Sequence, residues 1–444
     1  MTTRRLPTTA DVVVVGAGSA GCVIAERLSR DPGRAVVVLE RGPRDWPPPA
    51  VRDLQVLPIE HGAGFARGHT EATGLPVVRG SALGGSSAVN GGYFLRWHRD
   101  DFDDWPAQWS PEAIAHAYDE LDAPDGTMGV TAFADDELVD VVRLFESYWA
   151  QAMPVRATAD PWPIVGVNRV RSNREGPLRR TSAEAYLRPA IDRPNLTVIT
   201  DAEVAEVMVA GRRVTGVRVG ADRMSVGEVV LSAGTLGTAG ILLRSGLGSL
   251  IGSGGTLPLH EHREVLVHYR RHVDPQVMPT ALLQSVVHTA DDVEIRCYST
   301  DMARFVKGVE PVGPAVGVAG MRPGSLGAVR VGDTGLLVDL GTVDPASARR
   351  MALGAESVRD MLNSSTFGGV VEPGSIVVDP VVRTSQHAWG SLPMGVRTDD
   401  LGGLDGLTGL RVVDGSILPA AGRSGPHATI MMIAVRIGDV LAAR

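Results

Sequence analysis

Lysine is almost absent: Lys307 stands alone in a chain of 444 residues whose 43 basic side chains are otherwise arginine. A Schiff-base mechanism or a P-loop phosphate lysine has next to no raw material here. Cysteine is nearly as scarce. Cys22 and Cys297 are too few for a disulfide framework or a cysteine-rich zinc or iron–sulfur centre, and no metal site is expected. The formal net charge is −8 and no basic block or aromatic-basic stripe occurs, so nucleic acid and anionic membrane are poor partners. No apolar run is long enough to span a bilayer, so no integral membrane segment is expected. The Arg4–Arg5 pair before the first apolar run has the look of an export signal. That run merges into a glycine pattern the fold needs, and cleavage would remove it, so a cytoplasmic location is expected.

Glycine is what the chain has in plenty, 53 residues, and it is clustered. "DVVVVGAGSAGCVIAERL" reads as a β-branched strand buried on both faces, a tight turn and a helix. Gly16, Gly18 and Gly21 fall at G-x-G-x-x-G spacing, enclosing Ala17, Ser19 and Ala20, and "AVVVLE" is a second strand ending at Glu40 with Arg41 behind it. Gly16 permits the turn, Gly18 lets backbone approach a pyrophosphate, Gly21 lets helix and strand close up, and the Glu40 carboxylate can accept ribose hydroxyls. The pattern points to a dinucleotide without separating NAD from FAD.

Residues 42–78 read as loop or lid, 110–123 and 136–152 as helices, and 262–343 alternate as sheet. "DPASARRMALGAESVRDMLNSS" is a helix, and the tail from residue 410 reads as strand, loop and long helix. The fold class expected is α/β: a Rossmann-like, doubly wound unit with a second, mainly antiparallel β-sheet domain.

A second glycine cluster, "RGSALGGSSAVNGGYFLRWHRDDFDDW", follows at residues 79–105. It resembles the first signature of the glucose–methanol–choline (GMC) flavin oxidoreductases. "LSAGTLGTAGILLRSGLG" is similar to their second signature, and "HAWGSLPMG", "LRVVDGSILP" and "GPHATIMMIA" to their carboxy-terminal block. The resemblance implies an FAD-binding domain over 1–120, 176–260 and 379–444, with a substrate-binding domain over 121–175 and 261–378. It also implies that Arg79, Leu83, Gly84, Asn90, Gly91 and Gly92 lie along the flavin, that Val204, Ala233 and Gly234 lie near its adenine, and that Asp414 and Gly415 hold the ribityl–phosphate region. Some members tether the flavin to a histidine just before the Asn90 position. This chain has Val89 there, so FAD is expected to be non-covalent.

The activity implied is oxidation of an alcohol's CH–OH group, a base taking the hydroxyl proton as hydride passes to flavin N5. His387 in "SQHAWGSLPMG" matches the family's histidine and is the expected base. The family's second catalytic position falls on Gly425, with His427 two residues on. His427 either serves as His387's partner or, with Ala428, bonds the flavin. Ser424 or Gly425 can cap the last helix and Pro426 suits its first position, and the helix dipole would favour negative charge on the flavin. His260 and His262 share a strand face without a third ligand, and His61, His69 and His98 read as loop or surface residues. The face bearing Val265, Val267, Val287 and Ile295 is expected to line the substrate pocket, which disfavours choline-like cations. Near-absence of lysine and the "GGYFLRW…DFD" wording resemble bacterial members, among them the mycofactocin-associated branch, where a redox cofactor's alcohol form is the donor and the respiratory chain the sink. An oxidase using O2 and a non-redox lyase on the same fold are the alternatives.

Overall fold

The computed structural model describes residues 6–251, 254–275, 278–333 and 335–444. The run Val12–Val15 forms the end of strand Thr9–Val15, at the centre of a seven-stranded sheet. Strands Asp222–Leu231 and Val36–Leu39 flank it in parallel, and Leu196–Ile199 extends the sheet beyond Val36–Leu39. Val12 to Val15 are all buried, as a β-branched run covered on both faces must be. Helix Ser19–Leu28 packs on helix His427–Ala442, where a Cβ on Gly438 would stand 2.8 Å from Arg27 Cγ.

A second seven-stranded sheet is antiparallel. Its central strands are Arg263–His268, Ala315–Gly320, Val293–Tyr298 and Leu283–His288. Helix Pro345–Asn363 covers one face, with Gly354 so close that a Cβ would meet Val318 Cγ1 at 2.7 Å. Each large sheet has its own apolar core. A five-stranded sheet that shares the first core is assembled from remote segments: Thr256–Leu259, Gly327–Gly332, Gly335–Asp339, Ala66–Glu71 and Val77–Gly80. The stretch 42–78 is therefore not all loop. It carries a one-turn helix, Pro49–Arg52, and an antiparallel pair whose first strand sets Thr70 opposite the distant Leu337, which no local pattern could announce. The last helix starts at His427 with Pro426 as its cap residue. Among the described residues no helix is long and apolar enough to cross a membrane.

Candidate active site

One elongated cavity of about 550 Å3 runs from the first glycine turn to the start of the last helix. At its nucleotide end Gly16 holds φ +98°, and a Cβ there would come 2.5 Å from the Ser232 carbonyl. Gly21 is tighter still, its Cβ position lying 1.9 Å from the Gly16 carbonyl. Glu40 is buried, accepting from Ala17 N on Oε2 and Gly42 N on Oε1, both at 2.8 Å. Burial pushes its carboxyl up and the two N–H groups pull it back. An ionised carboxylate has about four lone-pair positions, so both oxygens can still accept from a diol.

The second glycine cluster folds onto the first. Gly84 N donates to the Ala17 carbonyl at 2.7 Å, and a Cβ on Gly85 would lie 2.7 Å from Gly18 Cα. Two backbones thus touch where side chains would hold them apart. Of the expected site residues, Gly16, Gly18, Ser19, Ala20, Glu40 and Arg41 line the nucleotide end, with Val204, Ala233 and Gly234 beside them. Arg79, Asn90, Gly91, Asp414, Gly415, His387 and His427 line the remainder. Ala17, Gly21, Leu83, Gly84, Gly92 and Ala428 are not on the wall. Leu83 and Ala428 are buried in the core, and Gly92 N bonds Asn90 Oδ1 at 2.9 Å. They shape the wall from behind.

That last bond settles more than a turn. With Oδ1 taken by Gly92, the Asn90 amide nitrogen faces His427 Nδ1 at 3.3 Å and donates to it. The His427 proton therefore sits on Nε2, which is buried and has no partner. Burial holds its pKa down to about 4. A neutral imidazole with one lone pair occupied and one free N–H is a donor, not a base.

His387 is placed by its neighbours. Gln386 takes an unusual positive φ of +64°, held by bonds from Val78 N and Arg79 Nη1 to its Oε1 and from its Nε2 to the Pro76 carbonyl. His387 N donates to Glu261 Oε1 at 2.6 Å, and its Nδ1 lies 3.0 Å from His262 Nδ1. Such a contact needs the hydrogen on one side only. With it on His387, Nε2 keeps its lone pair for the cavity. Burial, then His262 and Arg296, hold this imidazole well below its ordinary 6.5. A Cβ on Gly425 would lie 3.4 Å from His387 Nε2 and 3.4 Å from Tyr93 Cδ1, so the missing side chain leaves a gap between the two rings.

Two expectations about the remaining walls need correction. Val267, Val287 and Ile295 are buried with helix Pro345–Asn363, and Val265 packs against the same core. The cavity instead meets the alternate positions: Glu264, Leu266, Glu294, Arg296 and Tyr298. His98 is no surface residue. It is 4% exposed, with Nε2 2.7 Å from His288 Nδ1, and His288 Nε2 donates to Glu294 at 2.8 Å. His69 lines the cavity, His260 stacks on Trp389, and no cluster of three metal-ligating side chains occurs among the described residues.

Buried neutral histidines tie the fold to pH. Burial lowers His98 to about 2, His262 to about 3 and His427 to about 4. Below 6.5 the unfolded chain takes protons that these sites refuse, so stability falls as pH drops. Each contributes about 1.4 kcal/mol per pH unit. Denaturant midpoints of the holoprotein should be level above pH 7 and decline steadily from pH 6.5 to 5; a flat profile would contradict the burial described.

FAD suits these residues. Glycine turns bare of side chains face a long cavity, Glu40 keeps lone pairs for a ribose, and the His427 N–H is a buried donor without a hydrogen-bond partner. Family profiles described as GMC oxidoreductase match residues 10–261 and 337–434. An uncharacterised GMC-type oxidoreductase of Rhodococcus erythropolis is 31% identical, the alignment covering 97% of this chain and 98% of that one. Pyridoxine 4-oxidase of Microbacterium luteolum is 27% identical over 96% of this chain and 98% of its own. An alcohol dehydrogenase (acceptor) of Pseudomonas putida is 31% identical over 58% of this chain and 51% of its own. A crystal structure of pyridoxine 4-oxidase, given as from Mesorbium loti, superposes with a TM-score of 0.86 at 23% identity, covering 98% and 99% of the two chains, a likeness of fold. The chain belongs to the GMC family of flavin oxidoreductases.

Proposed function

We propose that this protein oxidises an alcohol to a carbonyl with non-covalent FAD, His387 acting as the base. The observation that carries the reading is the His387 imidazole, half-buried and neutral, with Nε2 beside the Gly425 gap in the cavity that begins at the glycine turns. FAD, when bound, supplies the acceptor for the carbinol hydrogen and its two bonding electrons. His387 Nε2 takes the hydroxyl proton, and His262 holds the ring through Nδ1. The His427 N–H and the first turn of its helix offer a donor and a positive dipole end to negative charge nearby. In this reading Glu40 holds a ribose, and Val89, which lacks a nucleophile, leaves the flavin untethered. Residues 1–120, 176–260 and 379–444 would carry the flavin, with 121–175 and 261–378 covering it. The relatives named as alcohol and pyridoxine oxidoreductases support the reaction class.

The finer reading, a mycofactocinol dehydrogenase passing electrons to the respiratory chain, rests on the arginine-for-lysine bias and the "GGYFLRW" wording. Its rival is an oxidase using O2. The test is one preparation: record the visible spectrum, add alcohols and that cofactor anaerobically, then readmit air or a quinone. Bleaching by the cofactor with recolouring by quinone alone supports the finer reading. No flavin absorbance, or no bleaching by any alcohol, sinks the proposal.

The acid limb of kcat/KM should lie well below pH 6.5, because the lowered His387 pKa keeps the base unprotonated through that range. A limb centred at 6.5 or above would remove His387 from the role.

A further inference from the structure

The cavity wall supplied by the antiparallel sheet presents acceptors almost throughout. Glu294 takes three bonds: from Arg296 Nε at 2.7 Å, His288 Nε2 at 2.8 Å and the Tyr93 hydroxyl at 2.5 Å. Glu264 takes two, from the Tyr298 hydroxyl at 2.7 Å and Arg296 Nη1 at 3.1 Å. About two of its lone-pair positions stay open. Each tyrosine has committed its only hydrogen to a carboxylate, so its oxygen can now only accept. Arg296 spends two more donors on Ser385 Oγ at 2.7 Å and the Met321 sulfur at 3.8 Å, which leaves one of its five N–H groups over.

The charges do not balance. Two carboxylates and one guanidinium leave one negative charge on the wall. Nearby ions are paired among themselves, Arg79 with Glu261 at 3.6 Å and Arg383 with Asp379 at 2.6 Å. The sheet is cut back to seat the excess: a Cβ on Gly317 would stand 1.8 Å from Glu264 Oε1. A buried anion with open lone pairs is costly until a charged donor meets it. Polyol hydroxyls would fill lone pairs but leave the charge. A quaternary ammonium would answer the charge but has no hydrogen to give.

We infer that the site selects an alcohol bearing a protonated amine or a similar N–H cation. The cation is bound at Glu264 between Tyr298 and Arg296, and the hydroxyl is turned to His387. Leu57, Ile59, Leu282 and Leu283 line the same cavity and cover the carbon chain between. This rests on the alcohol oxidation proposed above.

The test uses the holoprotein. Propylammonium, which has no hydroxyl to oxidise, is titrated calorimetrically against propanol. Propanolamine, its trimethylammonium analogue and butanol are then compared anaerobically as flavin reductants. Propylammonium should bind at least about tenfold more tightly than propanol. Propanolamine should lead butanol by about 100-fold in kcat/KM, with the trimethyl compound between. Glu264→Gln should collapse the propanolamine-to-butanol ratio toward one. Equal binding of propylammonium and propanol overturns the proposal, as does a ratio that Glu264→Gln leaves unmoved while the flavin spectrum stays intact. Tight propylammonium binding with no bleaching by any alcohol would refute the oxidation and leave the cation site standing.

Discussion

His387→Ala is expected to slow anaerobic flavin reduction by about 10³-fold, within the range that a positioned general base contributes. The loss should appear in kcat and kcat/KM alike, because proton removal belongs to the transition state and not to binding. Among the described residues no neighbouring histidine can take over. The His427 Nδ1 lone pair is occupied by Asn90 and its Nε2 carries hydrogen. His262 is 1% exposed and lies behind His387. Position 425 has no side chain to offer. The visible spectrum of the variant should match the parent, since this ring holds no part of the nucleotide end. Stopped-flow bleaching measures the effect, and a loss under tenfold would move the base elsewhere.

Gly21→Val should abolish flavin binding and cost about 3 kcal/mol or more in stability. Its first carbon alone would lie 1.9 Å from the Gly16 carbonyl and 3.2 Å from Ser232 Cβ. The obstacle is backbone, which cannot swing aside as a side chain would. Helix Ser19–Leu28 cannot retreat either, for its other face meets the last helix, where Arg27 Nε bonds Asp439 at 2.6 Å. Purified protein should be colourless and melt early. Gly369→Ala, with nothing within 4 Å of the added carbon, is the matched control and should change neither property.

Local chemistry made the nucleotide end readable. A β-branched run, a glycine triplet and an acid at the end of the next strand all act within 30 residues, and each rule concerns neighbours in the chain. The antiparallel sheet was readable only halfway. Alternation shows that strand Val293–Tyr298 has an apolar face and a charged one, but not what covers each. The usual inference sends Glu294 and Arg296 to solvent and the valines toward the ligand. Here the valine face belongs to helix Pro345–Asn363 and the charged face to the cavity. A sheet covered on both sides defeats that inference. His98 was missed for a related reason, its partner His288 lying 190 residues away. The Gly425 gap was legible because an absent side chain is itself a sequence fact, whereas the Asn90 bond that makes His427 a donor depends on a turn no spacing displays.

The five-stranded sheet and the helix pair impose an order on biosynthesis. Strand Ala66–Glu71 leaves the ribosome long before Gly335–Asp339, which must lie beside it. Helix Ser19–Leu28 likewise waits for His427–Ala442. A nascent chain of 400 residues still lacks strand Leu410–Val412 and helix His427–Ala442, leaving the face of helix Ser19–Leu28 that the latter covers open to chaperones or to self-association. The long cavity is closed only once His427–Ala442 has folded against helix Ser19–Leu28, so in the reading proposed above flavin should enter late, and its supply should govern the yield of holoprotein rather than the rate of synthesis.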